Sequence, residues 1–354
     1  MKKLLACLLC LLLGVSLLTA CQPRMAEIAL VMAEGTIDDG TINQEAWAGI
    51  AKYCEEKGIS NQSFQASENT QTARMDAVSL AVKRGAMLVV CSGASFQDTL
   101  VQAAKEFPDV TFLGLDCSIP EGSPKNAVGV TFSEVQAGFL AGYAAVENGW
   151  TKLGFFSEKK DSQSILYGYG FVQGAQAYAK AKEMPAQSVE IRYAYADKPG
   201  NTPENQAVAK EWFQNGAEAI FTIGYELTNG VIAAAEEFGK QVIGADVNWS
   251  DASQNVAISA VKHYSQAVQD LIDLSYNEEL TGGSTVQRTA AENGIALTMD
   301  DSHLKNFTRK SYDNLVIALA DDVSGMAADL VNTPAEDGSI GASGIVLSEV
   351  KVIE

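Results

Sequence analysis

AIFTIGYELTNGVIAAAEEFGKQVIGAD, residues 219–246, is the stretch that decides the fold. An apolar run at 219–223 is followed by an amphipathic segment at 226–238 and by a second apolar run at 241–246. Short apolar runs separated by segments of helical spacing are typical of buried parallel strands joined by crossover helices. The stretch therefore predicts one β-α-β unit of an α/β fold.

The same alternation continues on both sides of this stretch. Two successive series without a Pro/Gly/Ser-rich linker predict two similar lobes. Further strands are predicted at 28–32, 86–91, 110–116, 128–132, 153–157 and 189–195, with helices at 44–57, 72–84, 96–107, 133–148, 169–182 and 203–215. After residue 280 we expect short strands at 286–290 and 295–297 and a helix at 315–331, as a return to the second lobe.

The N-terminus reads as an export signal. Lys2 and Lys3 precede an apolar run at residues 4–18, which is shorter than the roughly 20 residues that a spanning helix needs. The run ends in Leu-Thr-Ala-Cys, which resembles a bacterial lipobox with Cys21 as the lipidated residue. We expect a signal peptide at 1–20 and a lipid anchor on Cys21; an ordinary signal with a chance cysteine is the alternative.

Charge and cysteine content exclude several classes of protein. A formal charge of −19 argues against nucleic acid as a partner, because binding phosphate backbones requires clustered Lys and Arg. Cys54, Cys91 and Cys117 cannot all pair with one another, and none lies in a CxxC motif. We therefore expect no thiolate metal site, and Cys91, inside an apolar run, is predicted to pack as a small core residue.

Catalytic motifs are missing from the sequence. His263 and His303 are the only histidines, and no Gly-x-Ser-x-Gly, His-Glu-x-x-His or P-loop motif occurs. Adjacent Asp38 and Asp39 are compatible with a metal pair or a catalytic acid, but acids before a helix also serve its N-terminal dipole. A calcium-dependent hydrolase would need more convergent acids than these two and Asp116. We expect no enzyme activity, no metal and no cofactor.

Several polar and aromatic residues follow the predicted strands. In open α/β sheets, ligands bind beyond the carboxyl ends of the strands. Asp116 and Asp246 end apolar runs, where an acid needs a hydrogen-bonded role with a ligand or a helix N-terminus. Phe96 and Tyr195 lie near strand ends as well, and Tyr195 is equally compatible with ligand stacking and lobe packing. Such residues suit a neutral polyhydroxyl ligand with a flat apolar part.

Four segments occur in an order that resembles a known family. They are IDDGTINQEAWAG at 37–49, NAVGVTF at 126–132 followed by QAGFLAG at 136–142, VIGAD at 242–246 and SAVK at 259–262. Their succession resembles the basic membrane protein (BMP) family of lipoproteins, of the purine nucleoside receptor type. The resemblance covers residues 25–275 and becomes vague after residue 280.

The resemblance implies a type I periplasmic-binding-protein-like fold: two doubly wound parallel-sheet lobes joined by three crossovers. Lobe 1 would comprise 21–128 and 257–285, and lobe 2 would comprise 129–256 and 286–354. It also implies a monomeric capture protein of an ABC importer, with a permease and an ATPase as partners and a purine nucleoside held between the lobes. A sensor lipoprotein and a receptor for a sugar or another small polar solute are the alternatives.

The resemblance also implies site residues. Asn43 and Asp116 would contact the base, Tyr195 would stack on it, and Asp246 and Lys262 would hold the ribose. Asn43 could instead cap a helix, and Lys262 could form a hinge salt bridge. Where the family usually has phenylalanine, this chain has isoleucine at position 42, and Trp249 is a candidate to replace that ring, although packing of the lobe is an equal alternative. The predicted ligand-binding set is Asp39, Asn43, Phe96, Asp116, Tyr195, Asp246, Trp249 and Lys262.

Overall fold

The computed structural model describes residues 26–354, so the predicted signal segment and Cys21 lie outside the described residues. The strands are β1 (Ile28–Met32), β2 (Asn61–Gln65), β3 (Leu88–Ser92), β4 (Thr111–Leu115), β5 (Ala127–Phe132), β6 (Lys152–Ser157), β7 (Val189–Tyr195), β8 (Ala219–Ile223), β9 (Gln241–Asp246), β10 (Val256–Lys262), β11 (Ser284–Arg288), β12 (Ile295–Leu297) and β13 (Val350–Ile353). The α-helices are α1 (Ile42–Lys57), α2 (Gln71–Lys83), α3 (Gln97–Glu106), α4 (Glu134–Glu147), α5 (Ser162–Ala181), α6 (Pro203–Gln214), α7 (Tyr225–Phe238), α8 (Tyr264–Tyr276) and α9 (Arg309–Ala320).

These strands form two sheets. The first has the order β11-β5-β4-β3-β1-β2, and the second has the order β12-β10-β9-β8-β6-β7-β13. Strand β1 pairs in parallel with β2 and β3, and β3 pairs in parallel with β4. In the second sheet the neighbours β10, β9, β8, β6, β7 and β13 all pair in parallel. Strand β12, at the other edge, runs antiparallel to its neighbour β10. The predicted α/β class with parallel sheets is confirmed.

The chain divides into two compact units. Among the described residues, unit 1 contains 26–37, Ala46–Gly129 and Val268–Thr285, and unit 2 contains Asp38–Glu45, Val130–Ala267 and Val286–Glu354. The segment after residue 286 thus belongs with unit 2. The exact lobe boundaries implied by the resemblance remain predictions.

The core of unit 1 is apolar on both faces of its sheet. All five residues of β1 and of β3 are buried, and Val78 of α2 and Leu100 of α3 are fully buried with them. Burying a side chain of this size stabilises the fold by about 1.5–3 kcal/mol. Cys91 is fully buried and its thiol is free, so it packs as the small core residue that the sequence predicts.

In unit 2, helices α4 and α5 pack so closely that glycine is required at their contact. A Cβ on Gly138 would lie 2.1 Å from the carbonyl oxygen of Tyr167, and a Cβ on Gly142 would lie 2.0 Å from that of Phe171. Glycines of α5 meet the backbone of α4 in the same way, because a Cβ on Gly170 would lie 2.0 Å from the carbonyl oxygen of Val135. This contact fixes the position of α5, and with it Tyr167, relative to the start of α4.

Two predicted helices differ from the structure by more than two residues at an end. Helix α5 begins at Ser162, seven residues before the prediction, because the Asp161 carboxylate caps it by accepting from the Ser164 N–H at 2.9 Å. The helix predicted at 315–331 is wrong beyond Ala320. Asp322 and Ser324 adopt left-handed φ angles of 51° and 58°, which end the helix.

Three strands, β2, β10 and β13, and helix α8 were not predicted from the sequence. Strand β2 reads Asn-Gln-Ser-Phe-Gln, with only Phe64 buried, and β13 has only Val350 buried. Both lie at the edge of their sheets, where one buried side chain is enough to hold a short strand. Across residues 26–354, no helix is long and apolar enough to cross a membrane.

Candidate ligand-binding site

Strands β9 and β10 end in a buried ion cluster. Lys262, the last residue of β10, places its Nζ 2.9 Å from Oε1 of Glu134 and 3.3 Å from Oδ1 of Asp246. The Tyr167 hydroxyl donates to the same Asp246 Oδ1 at 2.8 Å. The Lys262 and Glu134 side chains are 1% and 5% exposed, whereas the Asp246 side chain is 37% exposed. Asp246 is therefore the solvent-facing member of a fixed cluster.

Sheet register and local backbone bring the four residues together. Asp246 lies opposite Val261 in the parallel β9–β10 pair, so it neighbours Lys262 directly. Glu134 is the first residue of α4, which follows β5, and Tyr167 lies in the second turn of α5. Asp246 adopts a left-handed φ of 67°, which aspartate tolerates better than most residues and which turns the chain out of the strand.

The surroundings of Lys262 explain how a charge is kept in the interior. Its ammonium lies 5.5 Å from the ring centroid of Tyr167, 5.9 Å from that of Phe132 and 6.0 Å from that of Tyr264. Aromatic faces attract cations, and two carboxylates supply the opposite charge. Desolvation, followed by the charge of Asp246, holds the pKa of Tyr167 well above its ordinary value, so its hydroxyl remains a hydrogen-bond donor.

An aromatic pair lies beyond the same strand ends. The Trp249 indole Nε1 donates to the carbonyl oxygen of Ala245 at 2.9 Å, and the side chain is buried. The Tyr225 ring, 40% exposed, covers Trp249 with ring centroids 5.0 Å apart and a tilt of 40°. The exposed ring at this edge is thus Tyr225, which follows β8, and Trp249 supports it from behind.

Asp39 and Asn43 build the start of α1. The Asp39 Oδ1 accepts from the Thr41 N–H at 2.9 Å and from the Thr41 hydroxyl at 2.6 Å, while Oδ2 accepts from the Asn43 amide at 2.9 Å. The Thr41 hydroxyl in turn accepts from the Asn43 N–H at 3.2 Å. Asp39 therefore orders a helix start, as one of the two sequence interpretations proposed. Within unit 2, a Cβ on Gly40 would lie 3.5 Å from the hydroxyl oxygen of Tyr225.

Tyr195 lies further along the carboxyl edge of the same sheet. Strand β7 is three positions from β9, which corresponds to about 14 Å at a strand spacing of about 4.8 Å. The structure thus brings Asp246 and Lys262 together but not Tyr195 with them. Burial raises the pKa of Tyr195 to about 12. A cavity of about 290 Å³ beside it is lined by residues that include Tyr195, Asp197 and Asn205.

In unit 1, Asp116 follows β4 with a left-handed φ of 54° and is nearly buried. Its carboxylate acts on the neighbouring thiol, because burial first and the Asp116 charge second raise the pKa of Cys117 to about 12. Phe96 has no exposed surface and belongs to the apolar core, with the Arg74 guanidinium 5.8 Å from its ring centroid. The structure therefore does not bring the Phe96 ring to a surface from which it could stack on a ligand.

Three residues of the cluster region are absent from the predicted ligand-binding set. Glu134 follows Ser133 at the start of an otherwise apolar helix, and an acid in such a helix is a usable signal. Tyr225 directly follows a strand and a glycine, which is the strand-end rule that selected Asp246. Tyr167 gave no signal, because a tyrosine between apolar residues predicts only packing. Within the part of the chain that the structure describes, no group of His, Cys, Asp or Glu could hold a metal ion.

Residues 26–320 match the Bmp family, described as ABC transporter substrate-binding proteins of the PnrA-like type. The chain belongs to this family. Bmp proteins bind solutes rather than catalyse reactions, which confirms the expectation that the chain is not an enzyme, and they work with a permease and an ATPase. Members act outside the cytoplasm or at the membrane.

Individual relatives agree with this assignment. The ABC transporter nucleoside-binding protein BmpA of Lactococcus lactis is 23% identical over 313 residues, 81% of this chain and 86% of the relative. The CD4+ T-cell-stimulating antigen of Listeria monocytogenes is 24% identical over 77% of this chain and 79% of the relative. A solved ABC transporter solute-binding protein from Conexibacter woesei superimposes with a TM-score of 0.68 at 20% identity, over 85% of this chain and 96% of the other. That structural similarity confirms the type I periplasmic-binding fold.

Proposed function

We propose that this Bmp protein captures purine nucleosides for an ABC importer and is held at the outer face of the cell membrane by a lipid on Cys21. The family assignment supports the importer role. The name of the Lactococcus lactis relative supports a nucleoside as ligand. The arrangement of Asp246 in its cluster supports recognition of a sugar diol.

The single observation that carries the proposal is the direction of the contacts to Asp246. Tyr167 and Lys262 both contact Oδ1, which leaves Oδ2 of a partly exposed carboxylate as an acceptor for a ligand. A ribose carries two adjacent hydroxyl donors, and hydrogen bonds to a charged acceptor contribute about 1.5–3 kcal/mol each. Because the buried Lys262 and Tyr167 already fix the carboxylate, little ordering is required when the ligand binds.

A flat base needs an apolar surface close to this acceptor. The exposed Tyr225 ring, supported by Trp249, offers one at the neighbouring strand end. Tyr195 offers a second ring further along the edge of the sheet. The assignment of Asn43 and Asp116 to the edges of the base remains a prediction from the resemblance.

A binding assay with a matched pair of variants tests this proposal. Calorimetric titration and thermal shift would use purine and pyrimidine nucleosides, free bases, pentoses, hexoses and amino acids. Asp246→Asn should weaken purine nucleoside binding at least about tenfold, as expected for the loss of a charge-assisted hydrogen bond. Asp300→Asn is the control, because the Asp300 side chain is 95% exposed and pairs only with Arg309 at the surface. Its affinity should equal that of the wild type.

Other outcomes would redirect the assignment. Equal affinity in Asp246→Asn would remove the cluster from the site. Stabilisation by pentoses or hexoses alone would identify a sugar receptor and refute the nucleoside assignment. In the host, loss of the gene should abolish nucleoside uptake, whereas normal uptake would favour a sensor. Cys21→Ser should release the protein from the membrane fraction, and retention would refute the lipid anchor.

A further inference from the structure

The C-terminal segment, residues 331–354, lies outside the region that matches the Bmp family. It runs along one face of α5, where Tyr169, Gln173 and Gln176 hold its backbone. The Val331 N–H donates to Gln173 Oε1 at 2.8 Å, the Ala335 N–H to the Tyr169 hydroxyl at 3.1 Å, and the Ser348 N–H to Gln176 Oε1 at 3.1 Å. The segment ends in β13, which pairs in parallel with β7. These bonds hold it in one defined path.

On that path the segment contacts Tyr195. The Tyr195 hydroxyl donates to the Gly338 carbonyl at 3.3 Å and lies 2.9 Å from the Tyr193 hydroxyl. Gly338 has a left-handed φ of 63°, and a Cβ there would lie 2.8 Å from both Ile165 Cδ1 and Lys160 Cε. The Lys160 ammonium lies 5.3 Å from the centroid of the Tyr195 ring. The Gly338 carbonyl therefore holds the Tyr195 hydroxyl, and Lys160, whose stem lies beside Gly338, contacts the Tyr195 ring.

We propose that the C-terminal segment is a positioning element for Tyr195, acting through Gly338. A ring whose hydroxyl is fixed between two partners cannot rotate freely, and a group that is ordered before binding costs less to engage. A side chain on Gly338 would lie 2.8 Å from the Lys160 stem and from Ile165, so either those side chains or the Gly338 backbone, whose carbonyl accepts from Tyr195, must move. The effect on ligand affinity rests on the proposed function, whereas the positioning of Tyr195 does not.

The chain offers a matched control for the test. Gly344 lies in the same segment with a left-handed φ of 80°, but a Cβ there would meet nothing within 4 Å. Gly338→Ala and Gly344→Ala therefore impose similar backbone strain, and only the first disturbs the contact with Tyr195. Protein labelled with 3-fluorotyrosine would report the order of Tyr195 by ¹⁹F NMR, with Tyr195→Phe identifying its resonance. We expect this resonance to shift or broaden in Gly338→Ala and to stay unchanged in Gly344→Ala.

Nucleoside titration of the same variants measures the consequence for binding. Gly338→Ala should weaken binding about three- to tenfold, as expected for losing a neutral hydrogen bond and the order it provides, and Gly344→Ala should bind like the wild type. Unchanged ¹⁹F signals in Gly338→Ala would overturn the proposal, whereas a shifted signal with unchanged nucleoside affinity would support the positioning of Tyr195 and overturn its consequence for binding. If the wild type binds no nucleoside, the proposed function fails, and the NMR comparison still decides whether the segment positions Tyr195.

Discussion

Replacing Lys262 by methionine should destabilise the protein strongly, because it removes the ammonium that lies 2.9 Å from the buried Glu134 carboxylate. Methionine keeps most of the length of the side chain, so the change is mainly one of charge. Glu134 is 5% exposed and cannot recover its lost partner from water. Breaking a buried ion pair on one side costs about 3–5 kcal/mol.

For a unit of this size, each 1 kcal/mol lowers the melting temperature by about 2–4 °C. Lys262→Met should therefore lower it by about 6–20 °C, as measured by calorimetry or circular dichroism. Lys310→Met, at an exposed position of α9, is the control and should leave the melting temperature unchanged.

A second substitution separates charge from packing. Glu134→Gln in the Lys262→Met background removes the buried carboxylate and should restore at least half of the lost stability, because two neutral groups of similar shape avoid the desolvation penalty. The reasoning would be refuted if Lys262→Met lowered the melting temperature by less than about 3 °C. It would also be refuted if the double variant were no more stable than the single one.

Three other predictions follow from the same contacts. Gly142→Ala should destabilise unit 2 by about 2 kcal/mol or more, because its Cβ would lie 2.0 Å from the Phe171 carbonyl oxygen. Gly341→Ala, whose Cβ would meet nothing within 4 Å, should leave stability unchanged, and denaturant titration compares the two variants. Asp246→Gly and Asp246→Ala should both lower stability, because buried Lys262 and the Tyr167 hydroxyl lose a partner. The glycine variant should be about 1 kcal/mol more stable than the alanine variant, since glycine accepts a φ of 67°, and both should lose nucleoside affinity in calorimetric titration. Stability should fall above pH 10, because burial raises the pKa of Tyr195 from 10.0 to about 12. The unfolded chain therefore ionises first, and the stabilisation present below pH 10 is lost as the pH approaches 12. Melting temperatures measured from pH 8 to 11.5 should decline less in Tyr195→Phe than in the wild type.

Several strands of unit 2 could be predicted from the sequence, together with their ends. The predicted bounds at 189–195, 219–223 and 241–246 are those of β7, β8 and β9. Strands β8 and β9 are largely buried and β7 alternates buried with partly buried residues, so that local pattern and tertiary burial indicate the same boundaries. Edge strands β2 and β13 escaped prediction because their burial depends on a neighbour that the local sequence does not reveal.

The candidate site could be predicted only in part from the sequence. The strand-end rule and the family resemblance both indicate Asp246, whereas Lys262 is implied by the resemblance alone. The structure places the two at the ends of adjacent parallel strands and brings them together. Glu134 is 128 positions from Lys262, and nothing local indicates their ion pair. Phe96 shows the opposite error, because its position near a strand end suggested a ligand contact while packing drew its ring into the core.

The two strand-end aspartates share a feature that packing alone does not explain. Asp116 of unit 1 and Asp246 of unit 2 both adopt left-handed backbone angles, 54° and 67°, directly after or at the end of a buried parallel strand. Glycine would accept this geometry without strain, and at both positions the chain carries a carboxylate instead. Such strain persists where the side chain has a task that offsets it. For Asp246 the contacts with Tyr167 and Lys262 use one oxygen and leave the other facing outward. The backbone angle, the buried cation and the directed carboxylate together form a preorganised acceptor, which a solute-binding protein needs and a purely structural ion pair does not.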